Sequence, residues 1–178
     1  MRIAVISDTH GNVEGASLVL STFTAIDLLI HLGDHAADLW ALAAGLPHPA
    51  LGVLGNEDKA QEGPADLVIP AEGISLFATH GHTFDLNPYL PKERWERRLD
   101  ALAATARKKG ARAALFGHTH KALLEERDGV LLVNPGDLYP GGEYSSIAIL
   151  VVEGTAISAQ IFRFDRKFNR ELHARYPD

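Results

Sequence analysis

Carboxylates, an asparagine and histidines gather at short intervals in five places along the chain. They are Asp8 with His10, Asp34 with His35, Asn56 with Glu57 and Asp58, His80 with His82, and His118 with His120. Carboxylate, amide oxygen and imidazole make up a mixed oxygen and nitrogen donor set. That set suits Mn, Fe, Ni or Zn, whereas Ca and Mg prefer oxygen alone. A carboxylate can bridge two ions, while each imidazole binds one. Two ions about 3.5–4 Å apart can activate a water between them and clamp an in-line phosphoryl displacement. The residues for competing chemistry are missing. Without cysteine there are no disulfides, zinc–thiolate sites or thiol nucleophiles, and no serine sits in a Gly-x-Ser-x-Gly elbow. A single Asp-x-His or Gly-Asn-Glu-Asp is an ordinary turn or cap. Five such clusters together predict a metal site.

Each cluster follows a short apolar run with the character of a buried strand: Ile3–Ile6, Asp27–Leu32, Ala50–Leu54, Ile74–Thr79 and Ala113–Phe116. In open α/β sheets, ligands bind beyond the carboxyl ends of the strands. Strands lying side by side would therefore bring the five clusters to one rim. Helices are expected between them. One begins after Asn12, a good N-cap, with Val13, Ala16, Leu20 and Phe23 at helical spacing. A second spans Ala36 to Leu46, ended by Pro47-His48-Pro49, and a third spans Lys92 to Lys109, stopped by Gly110. Further strands are expected over Asp66–Ile69, Ala122–Glu126, Val130–Val133, Ser146–Val152 and Ala156–Phe164, with a hairpin turn at Asp128-Gly129. The segment from Arg163 to Asp178 mixes charge and aromatics and leaves an edge strand and an oligomer contact both open. A strand–helix first half followed by a strand-rich last third predicts two packed sheets with helices outside.

The 178 residues suggest a single domain over 1–178, with no repeat or linker to divide it. A formal net charge of -6 gives no overall positive field, so nucleic acid is not expected as a structural partner. Positive charge for a phosphate group must then be supplied locally, and bound metal ions do that. The helix carrying Arg94, Arg97, Arg98, Arg107, Lys108 and Lys109 also holds Glu93, Glu96 and Asp100, and is read as a solvated face. No apolar run approaches the roughly 18 residues of a membrane span. A strand beginning right after Met1 predicts no signal peptide, hence a cytoplasmic protein without a membrane partner.

Taken in order, Asp8-x-His10, Gly33-Asp34, Gly55-Asn56-x-Asp58, His80 and Gly117-His118-x-His120 resemble the signature of the calcineurin-like metallophosphoesterases. Asn134-Pro135-Gly136 resembles a motif of their small bacterial and archaeal phosphodiesterase branch. The likeness runs from about Met1 to Val152 and implies a four-layer α/β/β/α sandwich with a dinuclear site. By that likeness Asp8, His10, Asp34 and His120 would hold one divalent ion. Asp34, Asn56, His80 and His118 would hold the second, with Asp34 bridging. Mn is favoured, with Ni, Co, Fe or Zn as alternatives. The reaction implied is attack by a hydroxide held between the ions on a small phosphate-ester substrate, with diesters preferred over monoesters. A scaffold role is the alternative from another class, since a retromer subunit resembles this family in fold yet serves as a protein-interaction module.

The chain departs from many family phosphatases at two linked positions. They carry a histidine after the motif asparagine, assisted by an acid three residues beyond the bridging aspartate; here these are Glu57 and Ala37, with Asp38 one place further on. Asp137 stands where the small branch commonly has serine. Solvent or His82 is then expected to protonate the leaving group in place of Glu57. His35 and His82 are read as pocket-lining and His31 as a packed histidine, and a homo-oligomer is left open.

Overall fold

The structure is a computed structural model that describes residues 1–59 and 63–177. It contains two sheets. The first has the order β11-β10-β9-β1-β2-β3, from strands β1 (Arg2–Ile6), β2 (Leu28–His31), β3 (Ala50–Gly52), β9 (Ser145–Glu153), β10 (Ala156–Phe164) and β11 (Arg170–Tyr176). The second runs β4-β5-β6-β8-β7, from β4 (Asp66–Ala71), β5 (Ile74–Thr79), β6 (Ala113–Leu115), β7 (Leu123–Arg127) and β8 (Val130–Asn134). Helices α1 (Val13–Ser21), α2 (Ala37–Ala43) and α3 (Lys92–Lys108) complete the fold, with a 3-10 turn at His82–Phe84.

Side-chain alternation along the strands makes the layers. Ile3 and Val5 of β1 point inward, against Leu76 and Ala78 of β5 and Leu115 of β6 in a core between the sheets. Ala4 and Ile6 point outward and pack under Ala16, Val19 and Leu20 of α1 and Leu39 and Leu42 of α2. On the other sheet Phe77, Ala114 and Leu132 face Leu99, Leu102, Ala103 and Ala106 of α3. The order is thus helix, sheet, sheet, helix, the α/β arrangement expected. Both sheets are mixed. β1, β2 and β3 are mutually parallel, as are β5, β6 and β8; β9, β10 and β11 continue the first sheet as successive antiparallel neighbours, and β4 and β7 pair antiparallel to β5 and β8.

Local choices match the sequence closely. Asn12 caps α1, its side chain accepting the Gly15 N–H, and its amide donates to Leu138 O at 2.7 Å, tying the helix start to a distant loop. Asp128 and Gly129 have φ of 48° and 77°, the two left-handed positions of a tight hairpin between β7 and β8. The cations of α3 meet neighbouring carboxylates, with Arg98 on Asp85 and Arg107 on Asp128. Its own Glu96 and Asp100 are held by Arg127 of β7, as a solvated face would be. Two boundaries shift. α2 stops at Ala43, three residues before Leu46, and β3 is only Ala50–Gly52. Among the described residues, no helix is long and apolar enough to cross a membrane.

Candidate metal centre

The parallel strands of both sheets end on one rim. β1 delivers Asp8 and His10, β2 delivers Asp34, and β3 leads to Asn56 and Glu57. From the second sheet β5 delivers His80, β6 delivers His118 and His120, and β8 runs into Asn134–Asp137. The strand ends are stitched together, by two contacts across the sheets and one within the second sheet. His118 N–H donates to Asp8 Oδ2 at 3.1 Å, His80 Nδ1 lies 2.7 Å from Leu32 O, and Gly117 N–H donates to His80 O.

The loops adopt conformations that ordinary residues avoid. Asp8, His10, Asp34, His35, His118 and His120 all have φ between 46° and 66°. Asp and His tolerate this left-handed region better than most residues, but each such residue still costs about 1–3 kcal/mol and clusters where surrounding structure enforces it. Close approach explains two glycines. A Cβ on Gly55 would sit 2.0 Å from Asp34 Oδ1, and one on Gly117 would sit 1.9 Å from Ser7 Oγ.

The donors fall into two groups, Asp8 with His10 and His120, and Asp34 with His80 and His118. Within each group the ligand atoms lie within 4.8 Å of one another. Each carboxylate is held by a backbone amide through one oxygen and faces an imidazole with the other. Asp8 Oδ2 takes the His118 N–H while Oδ1 lies 3.2 Å from His120 Nε2. Asp34 Oδ1 takes the Glu57 N–H while Oδ2 lies 3.4 Å from His80 Nε2. Because Leu32 O only accepts, His80 Nδ1 carries a proton, and Nε2 is the nitrogen that faces Asp34 and the centre.

Asp8 Oδ1, His10 Nε2 and His80 Nε2 are buried without a hydrogen bond. Buried polar atoms rarely go unpaired, and these ligand-type atoms, two in one donor group and one in the other, fit sites for bound cations. Electrostatics agree. Burial would raise the Asp34 carboxyl, but His80 and the Glu57 amide outweigh it and bring it down to about 2. Contact with Asp137, then Asp8, lifts the His120 imidazole to about 10. These are the marks of anions facing imidazoles in a poorly solvated cleft.

The other expected residues take varied places. Asn56 is exposed, flanked by Gly55, whose amide donates to Asp58 Oδ2, and Glu57, whose amide donates to Asp34. Glu57 is half exposed, with Oε2 3.3 Å from His10 Nδ1, and it groups with His10 and His35. His82 lies beside His80 and His118, with ring centroids at 5.5 and 6.3 Å, and its Nδ1 is buried without a partner. Burial, then the nearby His80, lowers its pKa and keeps it neutral. His31 is fully buried, accepts the Gly33 N–H at Nδ1 and donates from Nε2 to Thr9 Oγ1. Thr9 passes the chain on to Asp38, which also takes the Gly11 N–H. Asp38 therefore shapes the first loop. Burial drops His31 to about 4, so it is a neutral structural histidine.

Two neighbours of the candidate ligands were not assigned from the sequence: Asp137, noted there only as standing in place of serine, and Tyr139. Asp137 Oδ2 lies 3.1 Å from His120 Nδ1, and the Tyr139 ring stands edge-on 5.3 Å from His10. Both follow β8, a sixth parallel strand end to which the carboxyl-end rule applies equally. Asn134 explains the Asn-Pro-Gly motif. Its amide donates to Gly117 O and Thr119 Oγ1, and its oxygen accepts the Gly136 N–H, bracketing the loop that carries His118 and His120.

Comparison with known proteins places this arrangement. The chain is 30% identical over 169 residues to a probable metallophosphoesterase, YsnB, of Bacillus subtilis, covering 91% of this chain and 90% of that protein. It is 25% identical over 156 residues to the phosphodiesterase MJ0936 of Methanocaldococcus jannaschii, covering 77% of this chain and 84% of the other. In fold it is similar to Vps29 of Entamoeba histolytica, solved with zinc, at a TM-score of 0.72 and 20% identity over 98% of both chains. Residues 1–155 match the calcineurin-like phosphoesterase superfamily domain, and the chain belongs to that superfamily.

Proposed function

We propose that the protein is a phosphodiesterase that works with two divalent ions, held respectively by Asp8, His10, Asp34 and His120 and by Asp34, Asn56, His80 and His118. The observation that carries this is the pair of Asp–His–His groups, each with ligand atoms within 4.8 Å and with buried, unpartnered lone pairs among them. Two ions bound there would activate water and offset charge on the phosphoryl oxygens. The chain's own residues do the rest. The His118 and Glu57 amides fix the orientations of Asp8 and Asp34, and the Leu32 carbonyl fixes the tautomer of His80. Mn is the favoured ion, since imidazole donors disfavour Mg and Ca.

Preference for diesters rests on likeness to the M. jannaschii phosphodiesterase and on the missing histidine–acid pair. Glu57 faces His10 and Asp38 is committed to Thr9 and Gly11, so neither rebuilds that pair. His82, neutral and beside His80 and His118, is assigned with solvent to the leaving-group side. A leaving group that departs easily, such as an aryl alkoxide, makes least demand on this arrangement. Paired aryl diester, aryl monoester and alkyl monoester substrates, assayed across a panel of metals, test the reading. Aryl diesters should turn over fastest, with Mn, Ni or Co better than Mg. Faster turnover of alkyl monoesters would refute the diester assignment.

A further inference from the structure

We propose that Glu57 and Asp137 are positioning carboxylates that make the Asp8–His10–His120 site the tighter of two unequal ion sites; this rests on the two-ion reading above. The two residues come from different sheets, one after β3 and one after β8, yet meet the two histidines of the same group. Glu57 Oε2 lies 3.3 Å from His10 Nδ1, and Asp137 Oδ2 lies 3.1 Å from His120 Nδ1. In both cases Nδ1 faces the carboxylate and Nε2 is left for the centre. His120 Nε2 lies 3.2 Å from Asp8 Oδ1, and His10 Nε2 is buried without a partner. A carboxylate on the far nitrogen fixes ring orientation and tautomer and makes the ligating nitrogen more basic.

The second group has weaker support. His80 Nδ1 has a neutral carbonyl, Leu32 O, and the His118 imidazole makes no side-chain hydrogen bond among the described residues. Among the described residues, two carboxylates face the far nitrogens of one site's histidines and none faces those of the other. The asymmetry belongs to this chain, because Glu57 and Asp137 are the positions where its motifs depart from the common pattern.

The test is titration of the metal-free full-length protein with Co²⁺, followed by calorimetry and visible absorption. The proteins compared are wild type, Glu57→Gln, Asp137→Asn and His118→Ala. Wild type should bind two equivalents with distinct affinities. Each carboxylate variant should weaken the tighter one by roughly 10–100-fold and leave the weaker unchanged. His118→Ala should remove the weaker alone. The Glu57 side chain is 51% exposed, so its variant keeps the fold whatever Asp137→Asn does, and melting of the metal-free proteins checks this. Equal weakening of both equivalents, or no weakening, would overturn the proposal while leaving the two-ion reading intact. A third equivalent lost in Glu57→Gln would also overturn it, placing an ion between His10, His35 and Glu57. No binding in wild type would overturn both.

Discussion

Replacing Asn134 with alanine should be among the costliest single changes near the site, although Asn134 is not itself a ligand. The residue is fully buried, and its side chain makes hydrogen bonds of 2.9 Å to Gly117 O, 3.0 Å to Thr119 Oγ1 and 2.9 Å from the Gly136 amide. Each bond contributes roughly 0.5–1.5 kcal/mol net, and a partner left buried and unpaired costs about 1–3 kcal/mol. Thr119 is buried, and the Gly136 amide and Gly117 carbonyl belong to buried residues, so water reaches them poorly. A total of ~3–5 kcal/mol follows from those figures if part of the cavity is rehydrated. For a chain of this length each kcal/mol moves the melting point by about 2–4 °C, giving ~6–20 °C overall. Thermal unfolding of the metal-free protein by circular dichroism measures this without any contribution from bound ions. Asn134→Asp keeps the acceptor for Gly136 but turns a carboxylate towards Gly117 O, and should be no milder. A drop below about 2 °C in Asn134→Ala would refute the view that this side chain clamps the loop.

Other changes should act more narrowly. Asp34→Asn removes the only carboxylate assigned to both ions, and should lower metal stoichiometry and turnover more than His10→Ala; two ions bound with wild-type turnover would refute the bridging role. Glu57→Gln, assayed on an aryl diester at saturating metal, should lose less than about tenfold, below the 10²–10⁴-fold range of a general acid. A hundredfold loss with metal content unchanged would identify Glu57 as the acid. The pH dependence follows from His120, which Asp137 and then Asp8 raise from 6.5 to about 10 in the ion-free protein. The folded state holds this proton more tightly, so the stabilisation is complete below about pH 6.5 and is lost as pH rises towards 10. An ion must displace the same proton, so binding should strengthen by about tenfold per unit of rising pH in this window. Calorimetry in buffers of differing ionisation heat checks it, and zero proton release would refute it.

Most of the candidate site was legible because it obeys one geometric rule. Polar clusters at strand ends converge when the strands are parallel, and Asp8, His10, Asp34, His80, His118 and His120 do so. The same rule extends to β8, whose end carries Asp137, legible in the sequence only as a departure from serine, and Tyr139, which no motif marks. The roles of Glu57 and Asp38 were hidden for a different reason. Which neighbour a carboxylate meets depends on loop conformation, and the left-handed residues that set it leave little trace in sequence when they are Asp or His. β11 was left open because Leu172, Ala174 and Tyr176 alternate over too short a stretch, among charged and mostly exposed neighbours, to tell an edge strand from an oligomer contact; it pairs with β10 at a sheet edge, and Ala174 and Tyr176 pack on the core between the sheets. α2 ends early because the Gly45 and Leu46 amides bond to Leu42 O and Ala43 O, three residues back, instead of continuing the four-residue helical pattern.

The central claim, that paired metal ions at this rim drive phosphodiester hydrolysis, is tested most directly by one titration. The protein is stripped of metal, verified by elemental analysis, and Mn²⁺ is added stepwise while hydrolysis of an aryl phosphodiester is followed. No turnover before addition and a rise that saturates only as the second equivalent binds is the result expected. Full turnover in the metal-free protein, or saturation at one equivalent, would contradict it.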